Sequence, residues 1–128
     1  MVSLVLLTGF LGLVLPAHAE ESWPSWRGSR GDGSSLDEKV PLEWNVQKNT
    51  IWKKSLPGKG HASPIVWKDH VFVVAAVEDR RVLLCLDRRS GEERWVRTVL
   101  TSSREPIHRR NSLASSTPVT DGRLVYVS

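Results

Sequence analysis

Short apolar runs separated by polar turns begin near residue 50 and predict a succession of β-strands. The runs are rich in valine and other β-branched residues, which favours strands over helices. We predict strands over residues 51–56, from residue 65 to residue 67, and over residues 70–77, 81–86 and 93–99. Residues 20–43 follow neither a strand nor a helix period and are rich in Ser, Gly, Pro and charged residues, which predicts an irregular arm.

An apolar segment, residues 4–15, precedes the arm and leads into the small-residue sequence Ala17-His18-Ala19. This pattern is typical of a secretory signal peptide that is cleaved after Ala19. The alternative is a buried N-terminal helix. Because a bilayer takes roughly 20 apolar residues to span, we expect no transmembrane segment in the mature chain. The sequence therefore predicts an exported protein, periplasmic or extracellular.

An internal repeat runs through the predicted strands. Residues 64–73 align without gaps onto residues 118–127, at an offset of 54. A second equivalent pair, Trp52 and Trp95, has an offset of 43, and the difference of 11 residues falls in a polar segment, residues 101–113. A repeat of about 40 residues with a loop insertion is typical of β-propellers, where insertions often lie on the binding face.

A motif between the third and fourth predicted strands carries the clearest signal. Asp87 is placed to accept hydrogen bonds from the backbone of a turn, Gly91 to adopt the positive φ that ends the turn, and Trp95 to lay its ring over it. The pattern resembles the tryptophan-docking motif of PQQ-like (quinoprotein-type) β-propellers, Ala-x-Asp-x-x-Thr-Gly-x-x-x-Trp. Cys85 stands at the Ala position and Ser90 at the Thr position.

The arm supports the same resemblance, because Trp23-Pro24-Ser25-Trp26-Arg27-Gly28 is similar to the N-terminal arm of exported PQQ-like propeller proteins. The resemblance implies an all-β fold with one complete four-stranded blade and parts of two others. We expect a signal peptide at residues 1–19, an irregular arm at 20–49, and the N-terminal part of a truncated propeller at 50–128. The strand with Trp52 would be the outermost strand of the last blade, donated to close the ring.

Charge and cysteine content narrow the function classes. The chain has 18 Lys and Arg against 14 Asp and Glu, a net charge of +4. The signs are mixed along the chain, and no aromatic residues are interleaved with basic pairs such as Arg109-Arg110, so we expect no nucleic-acid binding. The single cysteine, Cys85, has no intrachain disulfide partner, and its position in the motif favours a buried thiol.

The sequence offers no catalytic constellation. Its histidines lack metal-ligand spacing, and no serine lies in a nucleophile elbow, so we predict neither catalytic nor metal-binding residues. The vicinal Cys pair of PQQ-dependent dehydrogenases is absent, and their calcium ligands have no counterpart that we can assign. We expect no cofactor from this segment.

The resemblance implies an exported, noncatalytic scaffold of the BamB-like kind, which binds a protein partner through its loops. The remaining blades of the full-length protein would be further partners of this segment. The alternative is a PQQ-dependent dehydrogenase, with PQQ and calcium, whose catalytic residues lie in the missing C-terminal part. A third hypothesis is an extracellular propeller that binds polysaccharide or peptide.

Overall fold

The computed structural model describes residues 22–37, 40–101 and 108–128. Within these ranges the chain is all-β without a helix, which confirms the predicted fold class at that level. The same ranges contain no helix long and apolar enough to cross a membrane. The predicted signal peptide, residues 1–19, lies outside the described residues and stays a prediction.

Four strands form one antiparallel sheet in the order β1-β2-β3-β4, so each strand pairs with its neighbour along the chain. A meander of this kind needs only tight turns between its strands, which the polar dipeptides Lys68-Asp69 and Glu78-Asp79 supply. Four of the predicted strands are thereby confirmed. The strands are β1 (Ile65–Trp67), β2 (His70–Val77), β3 (Arg80–Asp87) and β4 (Glu93–Thr101).

The predicted strand at residues 51–56 is wrong, because these residues have no strand conformation. Ile51 is 87% exposed, although its apolar, β-branched side chain favours strands. A strand forms only with a pairing partner. Among the described residues, no strand pairs with this segment. Within the segment, Trp52 is half-buried and contacts the sheet.

A second hairpin repeats the register of the first. It consists of β5 (Val119–Thr120) and β6 (Val125–Tyr126). Ile65 faces Phe72 in the first hairpin, and Val119 faces Tyr126 in the second, so the paired positions correspond at the offset of 54. The turns agree as well, because Lys68 and Gly122 both have a positive φ, 51° and 87°. The sequence repeat therefore has the same backbone structure in both copies.

Both faces of the four-stranded sheet are apolar and buried. The first face carries Ile65, Phe72, Val74, Leu83 and Cys85, which pack with Ala114. The second face carries Val71, Val73, Ala75, Val82, Leu84 and Leu86. Since successive side chains of a strand point to opposite faces, this double burial explains why β2 and β3 are continuous apolar runs and not alternating ones.

Different parts of the chain contact the two faces. Val125 and Val127, from the second hairpin and the residue after it, pack against the first face. Trp52, from the segment before the sheet, packs against the second face. The sheet therefore lies between a preceding and a following part of the sequence.

The adjacent residues Leu83 and Leu84 test the double burial, because their side chains lie on opposite faces and are 5% and 0% exposed. We expect Leu83→Ala and Leu84→Ala each to lower the free energy of unfolding by about 2–5 kcal/mol. Denaturant unfolding of the two variants measures this. The control is Glu93→Ala, at an exposed side chain of β4. A large loss in only one of the two core variants would contradict a sheet that is packed on both sides.

Candidate functional site

The turn between β3 and β4 is organised by Asp87. Its Oδ1 accepts hydrogen bonds from the backbone N–H of Arg89 at 2.8 Å and of Ser90 at 3.0 Å. Its backbone carbonyl accepts from the N–H of Gly91 at 2.9 Å, and its own N–H donates to the carbonyl of Glu92 at 2.7 Å. The carboxylate thus acts in the way that the sequence predicts, as a side-chain acceptor for a tight turn.

Gly91 completes the turn and allows an aromatic ring to approach its backbone closely. Its φ is +72°, as predicted, and it is buried. The indole of Trp52 lies against it: a methyl group built on Gly91 would come within 2.5 Å of the ring. The indole Nε1–H donates to the carbonyl of Arg88 at 2.8 Å. Any side chain at residue 91 would therefore displace the indole from the turn.

The assignment of Trp95 to this position is a correction, because the ring over the turn belongs to Trp52. Trp95 is the direct cross-strand partner of Cys85 and packs with the first face of the sheet, where its ring centroid lies 5.9 Å from that of Phe72. Trp52 packs with the second face. Side chains in β4 stand roughly perpendicular to the sheet, so Trp95 does not fold back onto the turn that precedes it.

An ion pair ties β4 to the turn. Arg94 donates through Nη2 to Oδ2 of Asp87, and its Nη1 lies 3.0 Å from Nε2 of His70. This hydrogen bond from Arg94, together with those from the backbone of Ser90 and Arg89, holds the pKa of Asp87 well below its usual range. Asp87 therefore stays an anion at neutral pH. Its carboxylate pairs with Arg94 and accepts hydrogen bonds from the backbone of the turn.

The other two motif residues have structural positions. Cys85 is fully buried, as expected, and burial raises the pKa of its thiol, which keeps it in the unreactive neutral form. Ser90 accepts a hydrogen bond from the N–H of Glu92 through its Oγ at 3.2 Å. The motif residues thus divide into a turn (Asp87, Ser90, Gly91) and two core residues (Cys85, Trp95), with Trp52 added from outside the motif.

A shallow cavity of about 460 Å³ lies at the far end of β2. Its polar lining residues are Lys59, Glu78, Asn111 and Ser112, the last two from the end of the predicted insertion. Their side chains carry both hydrogen-bond donors and acceptors. Across the described ranges, no group of three or more His, Cys, Asp or Glu side chains is placed to hold a metal ion.

Sequence reasoning missed the role of Trp52, although one signal was present. The predicted repeat already pairs Trp52 with Trp95, at an offset of 43. The Trp52 ring contacts a turn that lies 36 residues further along the chain, at Arg88, and spacing within one motif does not reveal such a contact.

No protein family, curated protein or solved structure gives a significant match to this chain. The site therefore has to be interpreted from its own geometry.

We expect Trp52→Ala to lower the free energy of unfolding by about 2–3 kcal/mol, because it removes a half-buried ring and a hydrogen bond. Trp52→Phe keeps an aromatic ring and loses the indole donor, so we expect about 1 kcal/mol. Urea unfolding measures both changes. The matched control is Trp26→Ala, at a tryptophan that is 62% exposed. Equal effects at Trp52 and Trp26 would rule out the docking contact.

The ion pair of Asp87 predicts a dependence of stability on pH. A carboxyl group whose folded pKa is lowered stabilises the fold above its unfolded pKa of about 4, and this stabilisation is lost as the pH falls toward the folded value. Asp87→Asn should therefore be less stable than the native protein at pH 7, and the difference should shrink below about pH 4. Glu92→Gln, which removes an exposed carboxylate from the same turn, is the control. A difference that is constant from pH 7 to about pH 3 would contradict the charge effect.

Proposed function

We propose that this chain is the N-terminal part of an exported, noncatalytic β-propeller scaffold of the PQQ-like type, which binds a protein partner through its loops. One observation supports the proposal most strongly. The four-stranded sheet is contacted on one face by residues that precede it, at Trp52, and on the other by a hairpin that follows it and repeats its register. Consecutive blades of a propeller are stacked in this order around the ring.

In this proposal β1 to β4 form a complete blade, and β5 and β6 begin the next one. Trp52 belongs to the preceding unit and docks on the Gly91 turn. Trp95, its equivalent, would dock on the turn of the following blade. The turn motif then joins neighbouring blades, and its residues have a structural function, not a chemical one.

The arm and the segment that follows it support the presence of further blades. Large exposed apolar side chains recur between residues 36 and 56, and exposed apolar surface of this kind marks a contact surface. The residues are Leu36, Val40, Leu42, Trp44, Val46, Ile51 and Leu56. A compact turn orders part of this stretch, because Asn45 and Lys48 exchange backbone hydrogen bonds of 3.0 and 3.2 Å. The last blade of the ring would cover these side chains.

The partner would bind at the predicted insertion. Arg109 and Arg110 are exposed there, and Asn111 and Ser112 line the cavity beside Lys59. Loops on a rigid sheet scaffold are the usual position of binding residues. The basic side chains favour a partner with an acidic surface.

A photo-crosslinking experiment in the producing cells tests the binding function. A crosslinking amino acid in place of Arg109 should give one dominant adduct with another protein. The same crosslinker in place of Asn49, in an exposed turn of the arm, should not. N-terminal sequencing of the exported protein should begin at Glu20, because the predicted signal peptide ends at Ala19. Identical adducts from both positions, or none from Arg109, would contradict binding through the insertion.

A second measurement separates the scaffold from the dehydrogenase. The purified full-length protein is mixed with PQQ and Ca²⁺, and alcohol- or sugar-dependent reduction of a dye is followed. The scaffold proposal predicts no reduction and no quinone spectrum on the protein after gel filtration. Reconstituted dye reduction would overturn it in favour of the enzyme.

A further inference from the structure

A short segment of the arm, residues 22–28, lies along the edge of β1 that does not pair with β2. We call it the strap. The N–H of Trp23 donates to the carbonyl of Val66 at 2.8 Å, and the N–H of Val66 donates to the carbonyl of Trp23 at 2.9 Å. These bonds form an antiparallel bridge. At Val66, therefore, β1 has a backbone partner on both sides.

The strap also reaches the second hairpin. The N–H of Thr120 donates to the carbonyl of Pro24 at 3.0 Å. Thr120 is buried, and its hydroxyl is used within its own hairpin, where it donates to the carbonyl of Leu124 at 2.6 Å. The strap thus supplies the partner for a backbone donor of β5. Two consecutive residues of the strap connect the edges of β1 and β5.

The sequence of the strap suits this edge. A residue before proline is restricted to extended conformations, which is the conformation that Trp23 needs for the bridge. Proline has no N–H, so Pro24 presents only a carbonyl to the edge and leaves no donor without a partner. The Trp-Pro pair is therefore preorganised for an edge that offers one two-way bridge and then a single donor.

A tight turn fixes the side chain of Trp23. The N–H of Gly28 donates to the carbonyl of Ser25 at 3.0 Å, and the Ser25 hydroxyl donates to the carbonyl of Gly28 at 2.9 Å. This brings Gly28 against the indole of Trp23, where an added methyl would lie 2.8 Å from the ring. Trp26, in the same turn, is 62% exposed, and the Arg27 guanidinium lies 4.7 Å from the centre of its ring.

We propose that the joint edge of β1 and β5 is a binding groove for an extended peptide that contains Trp-Pro, and that the strap occupies this groove in cis. Strand addition to a sheet edge is an established mode of peptide recognition, with affinity from main-chain hydrogen bonds. The groove is then closed to other chains until the strap leaves, and a partner segment of the same chemistry competes with it. This inference goes beyond the proposed scaffold function and does not depend on it.

Amide hydrogen exchange in the full chain tests whether the strap protects the edge. In Trp23→Ala, the amides of Val66 and Thr120 should exchange at least about tenfold faster, because the bridge opens locally. The amides of Val73 and Leu84, within the sheet, should not change. Trp26→Ala is the matched control and should leave all four amides as they are. Unchanged exchange at Val66 and Thr120 in Trp23→Ala would overturn the proposal.

A peptide in trans tests whether the edge is a binding groove and not only an internal contact. The probe is the acetylated peptide Ser-Trp-Pro-Ser-Trp-Arg-Gly, the sequence of residues 22–28. It should restore protection of Val66 and Thr120 in the Trp23→Ala variant, and it should bind the native protein at least about tenfold more weakly, because the strap competes. The same peptide with Ala in place of its first Trp should restore nothing. Failure to protect the variant, or equal binding to both proteins, would overturn the groove.

Two further measurements cover the cases in which Trp23→Ala does not fold or the strap binds a second copy of the chain. If Trp23→Ala does not fold, Gly28→Ala keeps Trp23 but places a methyl against its ring, and it should give the same exchange and rescue. Size-exclusion chromatography over a range of concentrations should show the same oligomeric state for the native protein, Trp23→Ala and Gly28→Ala. A dimer that is lost in these two variants would show that the strap reaches a second copy, and would overturn the occupancy in cis.

Discussion

The indole of Trp52 on the Gly91 turn is the contact on which the structure depends. It combines a ring-to-backbone contact that only glycine permits with a hydrogen bond to the carbonyl of Arg88. Asp87 makes both possible, because its carboxylate fixes the backbone that presents the carbonyl and the glycine. Through this contact, a segment that has no strand of its own is held against the second face of the sheet.

The double-sided sheet explains much of the remaining structure. A sheet with apolar residues on both faces has to be covered on both sides, and here the coverage comes from Trp52 on one face and from the second hairpin on the other. The strap adds backbone contacts to Val66, at the edge of β1 that does not pair with β2, and to Thr120 of β5. These contacts join neighbouring segments of the chain, as the proposed propeller requires. Apart from Trp52, the large apolar side chains that the structure describes in residues 36–56 stay exposed.

The sequence predicts the sheet well because its determinants are local. β-branched runs and polar dipeptide turns define β2 and β3, and Asp87 and Gly91 mark the turn between β3 and β4 by residue type alone. The positive φ of Lys68 had no such signal, since lysine does not favour that conformation. The repeat at an offset of 54 supplies part of the missing signal, because it aligns Lys68 with Gly122, and glycine adopts a positive φ readily.

The contacts between units were less predictable, for a physical reason. Ile51 and Trp52 have strand-forming side chains, but a strand also needs a partner, and composition does not reveal whether one is present. Likewise, the spacing within residues 85–95 places a tryptophan near the turn in sequence but does not say on which face its ring lies. Trp95 lies on the first face and Trp52 on the second, and this distinction depends on tertiary packing.

The α-proton chemical shifts of Gly91 test the central claim most directly. Protons that lie under an indole ring are shifted upfield by its ring current. We predict strongly upfield-shifted Gly91 α-protons, with nuclear Overhauser effects to the Trp52 ring and a slowly exchanging Trp52 indole N–H. The shift should disappear in Trp52→Leu and persist in Trp95→Leu. An unshifted Gly91, or a shift that disappears only in Trp95→Leu, would contradict the docking of the preceding segment on this turn.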